Sequence, residues 1–182
     1  MAFPLPVDII DTIREQQQCL IAQGIGIAWV KPENVHLTVK FLGEISPEAV
    51  HLAMGAAEKA AAGAASMTLT VKGLGVFPDA RRPRVVWAGL GGRTQSLIDF
   101  QADLEENLAN VGFEKERRRF AAHLTLGRIK KPLSPVKLVS ALDNCAGIAS
   151  REFSAGRLAL YRSELRPEGA AYTVLRAFPL GG

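Results

Sequence analysis

Asn34-Val35-His36-Leu37-Thr38-Val39-Lys40 and Ala121-Ala122-His123-Leu124-Thr125-Leu126-Gly127 carry the same His-Leu-Thr core, nearly half a chain length apart. Side chains of an extended strand alternate between its two faces, so His and Thr of each copy point the same way and the leucine between them points to the other face. Each copy therefore sets an imidazole beside a hydroxyl on a polar surface and anchors itself through an apolar one. The 182-residue chain has only three histidines, and two of them occupy this context. Two such strands facing each other would surround a small anion with an acid, a base and two hydroxyls.

Working outward, the flanking segments alternate between helical and extended periodicity. Val7 to about Gln23 reads as an amphipathic helix with Pro6 near its start. Ile25–Val30 and Val35–Leu42 read as strands. Ser46-Pro47-Glu48 is a helix start, with Ser46 as cap, and the helix runs to about Gly63. Met67–Val71 alternates as a strand and leads into a glycine turn at Gly73-Leu74-Gly75, and Arg84–Leu90 forms the next strand. Thr94 is expected to cap a helix that places Leu97, Phe100, Leu104 and Leu108 on one face. The second motif strand covers Ala121–Ile129, followed by a short helix at Ser134–Leu142 and strands at Arg157–Tyr161 and Tyr172–Ala177. Helix, strand with His-x-Thr, and helix thus recur twice. The expected fold class is α+β, with two pseudo-symmetric lobes of largely antiparallel sheet and outer helices, internally duplicated within a single domain spanning 1–182.

Composition agrees with a globular chain: 48% hydrophobic and 22% charged residues exclude a disordered segment. No apolar run approaches the roughly 20 residues that cross a bilayer, and Met-Ala-Phe-Pro-Leu-Pro lacks the features of a signal peptide. Cys19 and Cys145, far apart and in no metal-ligand spacing, are expected to be free thiols in a reducing cytoplasm. A net charge of +4 suits a polyanionic partner. The basic residues cluster as Arg81-Arg82-Pro83-Arg84, Lys115-Glu116-Arg117-Arg118-Arg119 and Lys130-Lys131, and the last two clusters flank the second motif. No coiled coil is evident, and a monomer is expected. His51 reads as a surface helix residue, Trp29 and Trp87 read as core, and Phe41 stands close enough to the first motif to reach the cleft.

Two histidines without a carboxylate at ligand spacing do not complete a zinc site, and neither cysteine has an evident histidine partner for nucleophilic chemistry. Acid–base cleavage of a phosphodiester fits better. A neutral imidazole takes a proton from the nucleophile, and an imidazolium gives one to the leaving oxygen on the opposite side of phosphorus. Thr38 and Thr125 can donate to non-bridging oxygens.

With these residues in view, the chain resembles the two-histidine (2H) phosphoesterases, and within them the LigT-like RNA 2′,3′-cyclic phosphodiesterases, also called 2′-5′ RNA ligases. The resemblance extends through Phe3-Pro4-Leu5-Pro6, His36-Leu37-Thr38-Val39-Lys40-Phe41-Leu42-Gly43, Gly75-Val76-Phe77-Pro78, Pro83-Arg84-Val85-Val86-Trp87, Phe120 to Arg128, Leu160-Tyr161-Arg162-Ser163-Glu164, and Tyr172. It implies a two-lobed fold with the histidines facing across a cleft. It also implies hydrolysis of an RNA-terminal 2′,3′-cyclic phosphate to a 2′-phosphate without metal or cofactor, with 2′-5′ ligation as a reverse activity. By the same resemblance His36 is the general acid and His123 the general base, while Thr38, Thr125 and Arg128 hold the phosphate. Simple alternation would turn Arg128 away from Thr125, so a bend near Gly127 is required. By the resemblance the family's first strand usually begins earlier than it does here, so either that edge strand is short or the recorded start lies downstream of the natural one. The alternatives are action on a small cyclic nucleotide such as ADP-ribose cyclic phosphate, or a non-catalytic RNA-end binder.

Overall fold

The computed structural model describes residues 1–166 and 169–181. Its strands are β1 (Ala2–Pro4), β2 (Ala28–Trp29), β3 (His36–Thr38), β4 (Met67–Phe77), β5 (Val85–Gly92), β6 (His123–Arg128), β7 (Phe153–Ala155), β8 (Arg157–Arg166) and β9 (Gly169–Pro179). Its α-helices are α1 (Val7–Ala22), α2 (Pro47–Ala62), α3 (Thr94–Ala109) and α4 (Pro135–Cys145). The strands form two antiparallel sheets, ordered β3-β1-β8-β9 and β2-β6-β5-β4-β7. The α+β class and the antiparallel two-lobed layout follow the sequence expectation.

Each sheet buries one face under two helices. In the first sheet Phe3, Leu37, Leu158 and Leu160 are buried, and Phe3 meets Phe100 of α3 edge to face at 5.3 Å. Helix α2 packs on the same sheet against β8 and β9. In the second sheet Leu69, Val71, Val86, Ala88, Leu124 and Leu126 are buried beneath α1 and α4. The chain passes between lobes repeatedly, since β1 belongs to the first sheet while the following α1 covers the second. Where the sheets meet, Cα atoms of β3 and β6 come within 8 Å of one another, which brings the two motif strands together.

Helices α2 and α4 begin as expected, with the Ser46 and Ser134 hydroxyls accepting from the backbone N–H groups of Ala49 and Lys137. Thr94 does not cap α3. The strand-to-helix junction falls at Arg93, whose N–H is held by the Thr68 carbonyl and whose carbonyl accepts from Leu97, so Thr94 lies inside the first turn. The expected glycine turn at 73–75 is a bulge within one continuous strand: Val71 pairs with Leu90 but Leu74 with Ala88, and Gly73 takes the extra residue at φ +75°. β3 is shorter than alternation suggests because Val39 and Lys40 both donate to the Met1 carbonyl instead of continuing the ladder. β1 is not an edge strand; it lies between β3 and β8. β7 escaped the sequence reading, being three residues long.

The cysteines are not free. Cys19 of α1 and Cys145 of α4 form a disulfide, with Cα atoms 5.9 Å apart. Helix packing joins positions that sequence separation hides, and a bonded pair lends no support to a reducing compartment. No helix among the described residues is long and apolar enough to cross a membrane.

One buried ion pair stands out. Lys40 Nζ donates to Glu105 Oε2 at 2.7 Å and to the Glu114 carbonyl at 2.8 Å, with only 7% and 11% of the two charged side chains exposed. Glu105 also accepts from Gln101 and from the backbone N–H of Glu116. Glu105→Gln, which strands the Lys40 charge, should cost about 3–5 kcal/mol in urea unfolding, whereas the double change Lys40→Met with Glu105→Leu should recover much of that loss. Replacing both cysteines by alanine should lower stability by about 2–5 kcal/mol in the same assay, with reductant having no further effect.

Candidate active site

Strand register decides which side chains share the cleft. In the first sheet Ala2 pairs with Thr38 and with Ala159, and Pro4 pairs with His36. His36, Thr38, Ala159 and Tyr161 therefore lie on one face, opposite buried Leu37. Ser163 pairs with Tyr172, which places Tyr172 on the same face. In the second sheet Gly89 pairs with His123, Trp87 with Thr125, and Val85 with Arg128, so these six residues share the other wall.

Arg128 joins that wall through a bulge. Val86 pairs with Gly127 but Trp87 with Thr125, which leaves Leu126 as the extra residue of β6. The bulge supplies the bend that simple alternation lacked. The Leu126 carbonyl, taken out of the regular ladder, accepts from Val30 N at 2.9 Å and from buried Gln17 Nε2 at 2.9 Å. Arg128 is exposed and has no ion-pair partner among the described residues.

Both imidazoles are held in the same manner. His36 Nδ1 donates to the Asn34 carbonyl at 2.9 Å, and His123 Nδ1 donates to the Ala121 carbonyl at 2.7 Å. A carbonyl only accepts, so each Nδ1 carries hydrogen. Nε2, at the far corner of the ring, is then a lone-pair base when the ring is neutral and an N–H acid when it is charged.

The rings around them differ. His36 stacks on Tyr161 at 5.4 Å and meets Tyr172 edge to face at 4.8 Å. His123 meets Phe77 edge to face at 4.9 Å, and Phe77 leans on Trp87 at 5.1 Å. Burial lowers the His36 pKa below its ordinary 6.5; the Asn34 hydrogen bond opposes this, and the nearby amino terminus adds to it. Burial likewise raises the Tyr161 pKa.

His36 and Thr38 thus share one face of the first sheet and His123, Thr125 and Arg128 one face of the second, with Cα atoms of β3 and β6 within 8 Å of one another. Phe41, three residues past Thr38, is 81% exposed and lines an adjoining groove. Trp87 is not a core residue as its apolar context suggested. It lies on the Thr125 face because Gly75 opposite leaves room for the indole; a Cβ there would sit 2.2 Å from the ring. Trp29 is half-buried against the core, and His51 is exposed on α2 as expected. Sequence reasoning gave no role to Tyr161, Tyr172 or Phe77. A usable signal existed: the chain has only two tyrosines, and both flank one histidine.

The profile of the family described as LigT-like phosphoesterase matches residues 3–87 and 92–172. The chain belongs to this family of 2H phosphoesterases. Among its relatives, the RNA 2′,3′-cyclic phosphodiesterase of Methanocaldococcus jannaschii is 31% identical over 97% of this chain and 96% of the relative. That of Thermotoga maritima is 32% identical over 94% of this chain and 91% of the relative. Solved structures share the fold across the whole chain. A Thermus thermophilus protein superposes with TM-score 0.82 at 27% identity, covering 100% of this chain and 96% of that one. Escherichia coli LigT complexed with 3′-AMP superposes with TM-score 0.76 at 26% identity, with the same coverage.

The aromatic cover of His36 makes a prediction measurable without substrate. In an NMR titration His36 should titrate below 6.5. Tyr161→Ala, which opens the ring to water, should move its midpoint upward toward that value; an unmoved midpoint would refute stacking as the source of the desolvation.

Proposed function

We infer that the protein is an RNA 2′,3′-cyclic phosphodiesterase that opens a terminal cyclic phosphate to a 2′-phosphate by two-histidine acid–base catalysis. The observation that carries this reading is the matched anchoring of His36 and His123 on two motif strands that approach within 8 Å, each histidine with a threonine beside it on the same strand face. Similarity to relatives bearing that name supports the substrate.

In this reading His123 Nε2 takes a proton from water as the water oxygen attacks phosphorus. His36 Nε2–H gives its proton to the departing 3′-oxygen, so the phosphate remains on the 2′-oxygen. Lowered proton affinity makes the His36 imidazolium a stronger donor than an ordinary one, and an entering phosphate anion favours the charged form that burial disfavours. Thr38, Thr125 and Arg128 bind the non-bridging oxygens and neutralise charge that is not transferred. The two imidazoles account for both proton transfers, so this reading calls on neither a metal nor a cofactor. With a 5′-hydroxyl in place of water, the same displacement forms a 2′-5′ linkage, a weak ligase activity. The whole of 1–182 acts as one domain of two duplicated lobes, as a monomer.

The test is turnover of an oligoribonucleotide ending in a 2′,3′-cyclic phosphate, in EDTA. Activity should persist with a bell-shaped pH profile, and His36→Ala and His123→Ala should each lose about 10²–10⁴-fold in kcat. Near-wild-type rates in either variant, or abolition by EDTA, would overturn the mechanism.

A further inference from the structure

Immediately beyond the first motif lies a groove of about 690 Å³ between two short walls. One wall is Lys40 to Leu42 with Ile45, which continues directly from Thr38; the other is Gly112 to Arg118, which leads into the strand of His123. Both walls thus run by direct chain continuity into the catalytic motifs. Lys40, paired with Glu105 behind the groove, fastens one wall to the other through the Glu114 carbonyl. The volume lies in the range of small-molecule sites, about 300–1,000 Å³, and exceeds what a single phosphate needs.

The lining has a particular chemistry. Phe41 exposes its ring to water although the neighbouring Val39 and Lys40 are buried. The basic residues divide into those already engaged and those open. Lys40 is committed to Glu105, and Lys115 is paired with Glu106. Arg117 and Arg118 are exposed and have no ion-pair partner among the described residues. Of the acidic residues on the same wall, Glu116 accepts from the backbone N–H of Arg118 at 3.2 Å, and Glu114 offers its main-chain carbonyl to Lys40. An open aromatic face beside unpaired guanidinium groups is how sequence-tolerant binding of single-stranded nucleic acid is built, by stacking on bases and neutralising phosphates.

We propose that this groove is a subsite for the single-stranded RNA preceding the reacting end, with Phe41 stacking on a base and Arg117 and Arg118 meeting backbone phosphates. The proposal rests on the cyclic phosphodiesterase reading for the identity of the strand. The subsite distinguishes a polymer end from a free cyclic nucleotide, because only the polymer extends into it.

The experiment compares wild type, Phe41→Ala and the double variant Arg117→Ala/Arg118→Ala in two assays. Fluorescence anisotropy measures binding of a single-stranded RNA of about eight nucleotides ending in a 2′-phosphate. Steady-state kinetics compares the same RNA ending in a 2′,3′-cyclic phosphate with a 2′,3′-cyclic mononucleotide. Each variant should weaken binding of the strand about tenfold, and the ratio of kcat/KM for strand over mononucleotide should fall by a similar factor. In the arginine variant the slope of log affinity against log salt should become shallower by about 1.4, or about 0.7 for each phosphate no longer neutralised. Unchanged strand affinity, or equal losses on both substrates, would overturn the subsite. Failure of the wild type to hydrolyse either cyclic phosphate would instead defeat the parent reading, while anisotropy still decides whether the groove holds RNA. The substituted side chains are exposed, so loss of fold does not mimic the effect; matching circular dichroism and thermal midpoints verify this.

Discussion

The Lys40–Glu105 pair is the constraint on which the arrangement of the site depends. A charge removed from water needs a partner of opposite sign and further hydrogen bonds to offset its desolvation. Here the carboxylate has Lys40, Gln101 and the Glu116 amide, and the ammonium has the Glu114 carbonyl as well. These contacts tie the end of the first motif strand to α3 and to the loop that delivers the second motif. A pair of apolar residues could fill the same volume, but it would not fix the loop backbone, because it offers no partner to the Glu114 carbonyl or the Glu116 amide.

Around that tie the two motifs use one device twice and then diverge. A main-chain carbonyl two residues upstream fixes the hydrogen on Nδ1 in both histidines. Each motif thereby acquires a defined open nitrogen without recruiting a carboxylate, which would raise the basicity of its ring. The divergence comes from neighbours elsewhere in the chain. Strands β8 and β9 bring both tyrosines to His36, and the β4–β5 ladder brings Phe77 and Trp87 to the His123 wall. Only the second motif carries the bulge that turns Arg128 inward. On the proposed reading, in which one imidazole gives a proton and the other takes one, these unlike surroundings are what would separate the two roles.

Much of this was legible in the sequence because it is local. Alternation in His-Leu-Thr states which residues share a face, and Ser-Pro pairs announce the starts of α2 and α4. The need for a bend near Gly127 follows from the parity of residue spacing alone, and the bulge meets it. Features decided by distant segments were not legible. The Cys19–Cys145 bond depends on two helices meeting across 126 positions. Trp87 has the apolar context of a core residue, and only its pairing with Gly75 turns it to the cleft wall. Gly73 reads as a turn because a left-handed glycine serves a turn and a bulge equally well; strand pairing on both sides makes it a bulge.

The first sheet draws its centre from opposite ends of the chain: Ala2 pairs with Ala159 of β8, which also carries Tyr161, and the following β9 brings Tyr172 into register beside His36. During synthesis from the N-terminus, the first motif leaves the ribosome early but has no completed sheet to join until the last strands follow. Contacts this distant in sequence also form late in folding, because closing a long loop comes before any gain from it. The sheet wall around His36 is therefore assembled last although its histidine is made first.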